Sequence, residues 1–335
     1  MTASFMFYSA AIYTRFSNPS AFTVAAFPFF TLLLVMGLRG IEVGTDTLGY
    51  INEFQNADTR YRVTEFGFSY FNKFINTIGS SPKLYLMAVS LVTLSPIAWV
   101  IHKYSKNITL SYLLYANLGY MAFAMSGIRQ TIAISITSLA LIFLLKNRKL
   151  AFCALVILAA TFHNTALIFF LLLPIVRISL TQLQAIGMFI ILLITPLLLM
   201  DAFLSLDYLL LQTYLNEYLD DSSSSNILVI IIAILPPLVA LFLWPKGNDT
   251  NKNTTFFILT ALAMSIVVAG NDFQMLSRLA LYFNIYSIIL LPNLIERIRP
   301  TSIRWLARAS MLILSICFFS LSIPGNSIGI DSYTF

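Results

Sequence analysis

Residues 107–146 read NITLSYLLYANLGYMAFAMSGIRQTIAISITSLALIFLLK, and Arg129 is the only charged residue before the terminal Lys146. A membrane-spanning helix needs about 20 apolar residues, so this stretch is long enough for two spans. A charge inside a membrane costs several kcal/mol unless it is paired or reaches water, and such charges usually belong to functional sites. The stretch therefore predicts membrane helices, and it raises the question of which negative group Arg129 binds.

The rest of the chain has the same apolar character. Of its 335 residues, 59% are hydrophobic and 10% are charged, and the mean hydropathy is +0.84. Soluble domains are far less apolar, so we predict an all-α polytopic membrane protein that forms a single integral membrane domain over residues 1–335. Residues 1–20 lack the basic start and cleavage site of a signal peptide, and we expect them to be retained. Candidate spans are 21–38, 83–101, 108–126, 128–146, 182–200, 227–244, 254–270, 277–295 and 305–323.

The apolar run 150–176 is long for one span and short for two. The polar sequence TFHNTA, which contains His163, lies in its middle. We predict two half-length segments that meet at His163, an arrangement that membranes tolerate only where the backbone lines a cavity or packs on protein. The alternative is one long tilted helix. With the break, the chain has about 11 transmembrane segments.

The charge distribution orients these segments. With the break, 13 of the 20 Lys and Arg residues fall on one face together with only two acids, Asp249 and Glu296. The positive-inside rule places this face and the N-terminus in the cytoplasm, and the C-terminus outside. A single helix over 150–176 would divide the basic clusters between both faces, which favours the break. The outer face then carries two long loops, residues 39–82 and the acidic segment 201–226.

Three arginines lie where predicted spans meet the outer face: Arg39, Arg129 and Arg278. Guanidinium groups bind phosphate oxygens bidentately and stay charged when dehydrated. Arg129 also begins a helix, whose dipole adds to the positive field. Together the three arginines predict a phosphate or pyrophosphate site at the outer membrane surface. The alternative is that each arginine reaches to water or pairs with a nearby acid such as Asp272.

Three further residues on the outer face are candidates for acid–base chemistry. Asp46 and Glu65 lie in the 39–82 loop, and His163 is the histidine at the predicted break. Each of them is able to orient or deprotonate a hydroxyl nucleophile. The alternatives are ion pairs with loop arginines for the carboxylates and a structural hydrogen bond for His163. The sequence does not choose among the three.

Several motifs are missing from the sequence. It contains no GxxxxGK[ST], HExxH, CxxC or Asp-X-Asp pattern. Such patterns bind nucleotide phosphates or metal ions. We therefore expect a reaction without metal or cofactor. The net charge of +6 would suit nucleic acid as a partner, but the distribution of the charge argues against it.

Four segments carry a resemblance to a known family: LRGIEVGTDTLGY, EFGFSYFNKF, SGIRQTIAISI and FHNTALI, in this order within residues 36–177. Their combination resembles the EpsG family of Wzy-like polysaccharide polymerases. Arg278 with Tyr282, and the terminal SYTF, are similar to features of the family's C-terminal half. The resemblance implies a polymerase of bacterial surface polysaccharide, similar in architecture to helical membrane glycosyltransferases.

The resemblance also implies a reaction: inverting glycosyl transfer at the periplasmic face of the bacterial inner membrane. The implied partners are a glycan donor and an acceptor repeat unit, both linked to undecaprenyl diphosphate, within membrane lipid. A chain-length-determining membrane protein is a further expected partner. The residues assigned to the reaction are Asp46, Glu65 and His163 as catalytic candidates, Arg39, Arg129 and Arg278 as diphosphate ligands, and Tyr50, Gln130 and Tyr282 as positioning residues.

Other functions remain open at this point. A flippase or transporter for lipid-linked oligosaccharide should carry charges along a path open to both faces, whereas the charges here gather at one face. A glycan ligase uses similar chemistry to a polymerase. An intramembrane serine protease would need contact between Ser126 and His163, and it leaves Arg129 unexplained.

Overall fold

The computed structural model describes residues 21–59, 65–176, 178–210, 227–244, 250–270, 274–322, 329 and 333–334. Every regular element in these ranges is a helix, which confirms the all-α prediction. The predictions for residues 1–20 and for segment 211–226 of the acidic loop lie outside the described residues. The chain divides into two compact units, one made of Met1–Val176 with Ile298–Phe335 and one made of Arg177–Arg297.

The first unit carries most of the predicted site. Its helices are α1 (Ala21–Gly37), α2 (Thr47–Gln55), α3 (Phe66–Ile78), α4 (Pro82–Tyr104), α5 (Ile108–Asn117), α6 (Tyr120–Ser126), α7 (Ile128–Leu145), α8 (Lys149–Phe162), a 3-10 helix (Asn164–Leu171), α9 (Leu172–Ile175) and α15 (Thr301–Ser322). Among them, α1 packs against α4, α4 against α7, α7 against α8, and α15 against α5.

The helices of the second unit are α10 (Gln182–Leu210), α11 (Ile227–Phe242), α12 (Thr250–Ala269), α13 (Gln274–Asn284) and α14 (Ser287–Ile295). Helix α12 is central and packs against α10, α11 and α13. Helix α10 continues to Leu210, so Asp201 and Asp207, which we predicted to lie in the acidic loop, are in a helix. The sequence after Asp201 contains Ala and four Leu, which favour a helix, and no Gly or Pro that would stop it before Leu210.

The opening stretch forms three helices instead of two. Helix α5 ends at Asn117, α6 begins at Tyr120, and the two are bent by 53°. Gly119 between them has φ of +86°, and an added Cβ there would meet no atom within 4 Å. The left-handed backbone therefore requires the glycine, because other residues rarely adopt it. Gly127 separates α6 from α7, so Arg129 lies in the first turn of α7.

Among the described residues, three helices are long and apolar enough to cross a membrane by themselves: α4, α7 and α15. The number rises to five if α5 with α6, and α13 with α14, each form one bent span. Helix length and composition thus support three to five spans. The larger number of about 11 segments, which counts shorter apolar helices, stays a prediction.

The predicted break at His163 is present. Helix α8 ends at Phe162, His163 has extended backbone angles, and the chain continues as a 3-10 helix. The 3-10 helix packs back on α8 and also against α7. The one long tilted helix over 150–176 is therefore not formed, and the imidazole lies at the junction of two short apolar segments.

The predicted long loop 39–82 contains two helices, α2 and α3. Their apolar residues Phe54 and Phe68 are completely buried, in a cluster with Tyr85 of α4 and Ile128 of α7. Taking a phenylalanine side chain out of water stabilises by about 2 kcal/mol. The two short helices are thereby fixed to the ends of membrane helices, and this packing positions the residues described next.

Candidate active site

Arg129 contacts a carboxylate within the protein. Its Nη1 donates a hydrogen bond to Oε2 of Glu65, and the two side chains are 24% and 9% exposed. Its Nε donates a long hydrogen bond of 3.4 Å to the hydroxyl of Tyr50, whose ring lies 5.5 Å from Cζ of the arginine. The negative group beside Arg129 in this structure is therefore Glu65, a pairing that the sequence did not indicate.

The second oxygen of Glu65 contacts histidine. Nδ1 of His163 lies 2.9 Å from Oε1, and the His163 side chain is 28% exposed. Glu65 thus bridges Arg129 and His163 through separate oxygens. Both neighbours donate a hydrogen bond to Glu65, and such donors favour the charged form of a carboxyl group.

The ionisation of Glu65 follows from these contacts. Burial raises the pKa of this carboxyl, but the hydrogen bond from His163 and the charge of Arg129 outweigh burial and lower the pKa below its usual value. A lowered pKa means that the ion pair contributes fully to stability above the ordinary glutamic acid pKa. That contribution is lost only as the pH falls through the lowered value. Glu65 is therefore a carboxylate at neutral pH.

The tautomer of His163 is determined by this carboxylate. A carboxylate only accepts hydrogen bonds, so Nδ1 of His163 has to donate. In the neutral imidazole, Nε2 then keeps its lone pair and is the nitrogen that accepts a proton. The Glu65–His163 pair is consequently arranged as an oriented base, in which the carboxylate fixes the ring and stabilises the charge that forms on it.

Close packing brings Glu65 to His163. Glu65 immediately precedes α3, and Gly67 in the first turn of α3 lies against Thr161 near the end of α8. An added Cβ at Gly67 would be 2.1 Å from the Thr161 hydroxyl oxygen. The absence of a side chain at Gly67 therefore lets α3 approach the end of α8, two residues before His163.

Arg39 has a different role from the one predicted. Its side chain is fully buried, and its guanidinium donates to the carbonyls of Met36 and Met125, the latter at 3.0 Å. Burial lowers the pKa of Arg39 to about 10. The Met125 carbonyl lies in the last turn of α6, where carbonyls lack helical partners. These contacts make Arg39 a structural residue in this arrangement and argue against the predicted diphosphate role, which no observation tests directly.

The loop after Arg39 is held against α6 by further contacts. Thr47 donates to the Met125 carbonyl at 3.0 Å, and Thr45 shares a 2.7 Å hydrogen bond with Ser126. Gly44 has φ of +96°, and an added Cβ would lie 2.5 Å from the Met125 oxygen. These contacts fix the start of α2, which carries Tyr50 to Arg129.

The C-terminal residues add to this loop, which the sequence indicated only as the family-like SYTF. The Gly40 amide donates to the Thr334 carbonyl at 2.7 Å, and the Gly44 amide donates to the Gly329 carbonyl at 2.9 Å. The Tyr333 hydroxyl donates to the Val35 carbonyl at 2.5 Å. Gly329, Tyr333 and Thr334 are therefore part of the structure that supports α2.

Four further residues were predicted to belong to the site: Asp46, Gln130, Arg278 and Tyr282. Asp46 is exposed and precedes α2 without a side-chain cap hydrogen bond. Gln130 is buried beside Arg129 in α7. Arg278 is exposed and Tyr282 fully buried on α13, which belongs to the second unit. The diphosphate role of Arg278 and the positioning role of Tyr282 stay predictions.

Two alternatives can be compared with the geometry. Ser126 contacts Thr45 and His163 contacts Glu65, so the described residues do not form the nucleophile–base pair of a serine protease. Within the described part of the chain, no three His, Cys, Asp or Glu side chains are grouped as metal ligands. The constellation of Arg129, Glu65 and His163 is therefore the candidate active site.

The comparisons with known proteins identify a family. The model of the EpsG family matches residues 22–335, nearly the whole chain and all the residues of the candidate site. No curated protein and no solved structure matches the chain significantly.

Proposed function

Because the chain belongs to the EpsG family, the family of Wzy-like polysaccharide polymerases, we propose that it joins oligosaccharide repeat units carried on undecaprenyl diphosphate. Membership and the apolar helices place the chain among membrane proteins with a general role in polysaccharide polymerisation. The finer proposal is that the growing chain is the donor and that a new lipid-linked repeat unit is the acceptor. The observation that carries it is the Arg129–Glu65–His163 constellation.

The reaction is an inverting glycosyl transfer. A hydroxyl at the non-reducing end of the acceptor attacks the anomeric carbon of the donor chain, and a new C–O bond forms. The bond from that carbon to the diphosphate oxygen breaks, and its electron pair leaves with undecaprenyl diphosphate. Nε2 of His163 takes the proton of the attacking hydroxyl, while Glu65 orients the ring and stabilises the imidazolium.

Arg129 stabilises the leaving group. Nη1 is used by Glu65 and Nε points to Tyr50, so Nη2 is the guanidinium nitrogen without a hydrogen-bond partner among the described residues. The Arg129 side chain is partly exposed. The residue lies in the first turn of helix α7, and the helix dipole favours negative charge at this end. We assign Nη2 to a diphosphate oxygen, on which charge accumulates as the glycosidic bond breaks. The diphosphate role of Arg278 stays a prediction from the sequence, and Asp46 is not assigned a role.

We further propose that the site faces the periplasm and that the inner membrane is crossed an odd number of times. The support is the lopsided charge, with 13 of 20 Lys and Arg residues on the opposite face. Reporter fusions at Lys149, Asp220 and Lys252 should therefore report cytoplasm, periplasm and cytoplasm. A cytoplasmic signal at Asp220 would reject this topology.

The function is tested with purified protein and lipid-linked repeat units. We expect the protein to make long chains that remain on the lipid carrier. The rate of chain growth should be the same with and without EDTA, because the sequence lacks the metal-binding motifs of nucleotide-sugar enzymes. Transfer to another acceptor but not to a second repeat unit would indicate a ligase. Movement of the lipid across the membrane without chain growth would indicate a flippase. Loss of activity that magnesium or manganese restores would reject the metal-free reaction.

A further inference from the structure

Helix α3 presents three different faces. Phe68, Asn72 and Ile75 form the buried face, which packs in the core with α2 and α4. Lys73 marks a polar face, where its Nζ lies 3.4 Å from Asp58 and both side chains are exposed. An ordinary surface helix of a soluble domain has only these two faces.

The third face is apolar and exposed. It consists of residues four apart, which lie next to one another along a helix. We call these residues the α3 stripe: Phe66 is 45% exposed, Tyr70 61%, Phe74 62% and Ile78 62%. The stripe therefore runs the full length of α3 and is separate from the core-facing side chains.

Both ends of α3 are close to ends of apolar helices. Ile78 is four residues before Pro82, where α4, a helix long enough to span the membrane, begins. Four residues of extended chain reach at most about 14 Å. At the other end of α3, Gly67 touches Thr161 in the last turn of the apolar helix α8. Both ends of α3 therefore lie beside ends of apolar helices, one of which is long enough to span a membrane.

We propose that the α3 stripe lies on the hydrocarbon boundary of the outer leaflet, so that α3 is an interfacial helix. A helix with an apolar face toward lipid and a polar face toward water adopts this position, and Tyr and Phe are suited to it. The occupant of the stripe is bilayer lipid. The stripe begins at Phe66, so lipid contact holds the adjacent Glu65 at the membrane surface, the depth at which a lipid-linked diphosphate lies. This last consequence rests on the proposed function, whereas the lipid contact does not.

The experiment uses fluorescent labels on single cysteines. Cys153 and Cys317 are replaced by alanine, and Tyr70→Cys or Phe74→Cys places a bimane label on the stripe. The matched control is Lys73→Cys, one residue away on the polar face. Each labelled protein is reconstituted in phosphatidylcholine vesicles, and quenching by a nitroxide on the lipid acyl chain is compared with quenching by aqueous iodide.

Labels on the stripe should be quenched by the lipid nitroxide at least about twofold more than the label at position 73, and iodide should show the opposite order. Equal quenching by iodide at positions 73 and 74 would place the stripe in water and overturn the proposal. Protection of position 74 from both quenchers would show that protein covers the stripe and would also overturn it. If the lipid contact is found in protein that does not extend chains, only the proposed function fails.

Discussion

Arg129→Lys is expected to lose polymerisation nearly as completely as Arg129→Ala. In the structure, one guanidinium contacts Glu65 through Nη1 and Tyr50 through Nε, and it leaves Nη2 for the substrate. An ammonium group is a point charge and cannot reproduce this planar, three-directional arrangement. Lysine can keep the ion pair with Glu65 or approach the diphosphate, but not both with the same geometry.

The expected size of the effect follows from the leaving group. A donor that stabilises charge developing in the transition state contributes about 3 kcal/mol, so each variant should extend chains roughly a hundredfold more slowly. The measurement is the rate of chain growth by purified protein, beside the amount of folded protein in the membrane. Arg299→Lys, on an exposed arginine of the predicted cytoplasmic face, is the matched control and should act like wild type.

A structural ion pair between Arg129 and Glu65 predicts a different pattern. Lysine would then preserve the pair and the activity, whereas alanine would reduce the amount of folded protein. Chains of wild-type length from Arg129→Lys would therefore show that the guanidinium does not act on the diphosphate.

Much of the fold was predictable from the sequence, because apolar runs in membrane proteins have a length set by the bilayer. The predicted span 128–146 is observed as Ile128–Leu145, and the polar break at His163 is observed where the sequence placed it. The exceptions are local. Helices α2 and α3 lie in what hydropathy treats as a loop, since both are short and expose polar residues. They form because Phe54 and Phe68 are buried against membrane helices.

The pairings within the site were not predictable in the same way. Glu65 and Arg129 are separated by 64 positions, and Glu65 and His163 by 98. Hydropathy and charge counts place all three residues on one face but give no distances between them. What the sequence does show is that Glu65, Arg129 and His163 are isolated polar residues, each at the end of an apolar or helical segment. Choosing partners required the packing of Gly67 on Thr161, which no pattern in one sequence reveals.

Arg39 shows that sequence context alone does not distinguish a structural arginine from a candidate site residue. At the end of a span it has the same sequence context as Arg129, and charge alone predicts the same role for both. The structure separates them by their partners, since Arg39 is buried among carbonyl oxygens and Arg129 is partly exposed beside a carboxylate. A buried guanidinium that donates to carbonyls at a helix end stabilises the loop, which favours a structural role for Arg39.

The largest expected effect concerns His163. General base catalysis contributes about a hundredfold to ten-thousandfold, so His163→Ala should slow chain extension by that range. The informative variant is His163→Asn. Its amide nitrogen can take the position of Nδ1 and keep the hydrogen bond to Glu65, but it has no group in the position of Nε2. If His163 is the base, His163→Asn should be as inactive as His163→Ala, with a normal level of protein in the membrane.

A histidine that only supports Glu65 leads to the opposite result, because asparagine then preserves the contact that matters. The rate of chain extension in purified His163→Asn decides between the two roles. His102→Asn, at the other histidine of the chain on the predicted cytoplasmic face, controls for the substitution itself. Added imidazole should partly restore His163→Ala, since the small base can enter the space left beside Glu65. Activity of His163→Asn within a few-fold of wild type would mean that the proton of the acceptor hydroxyl leaves by another route.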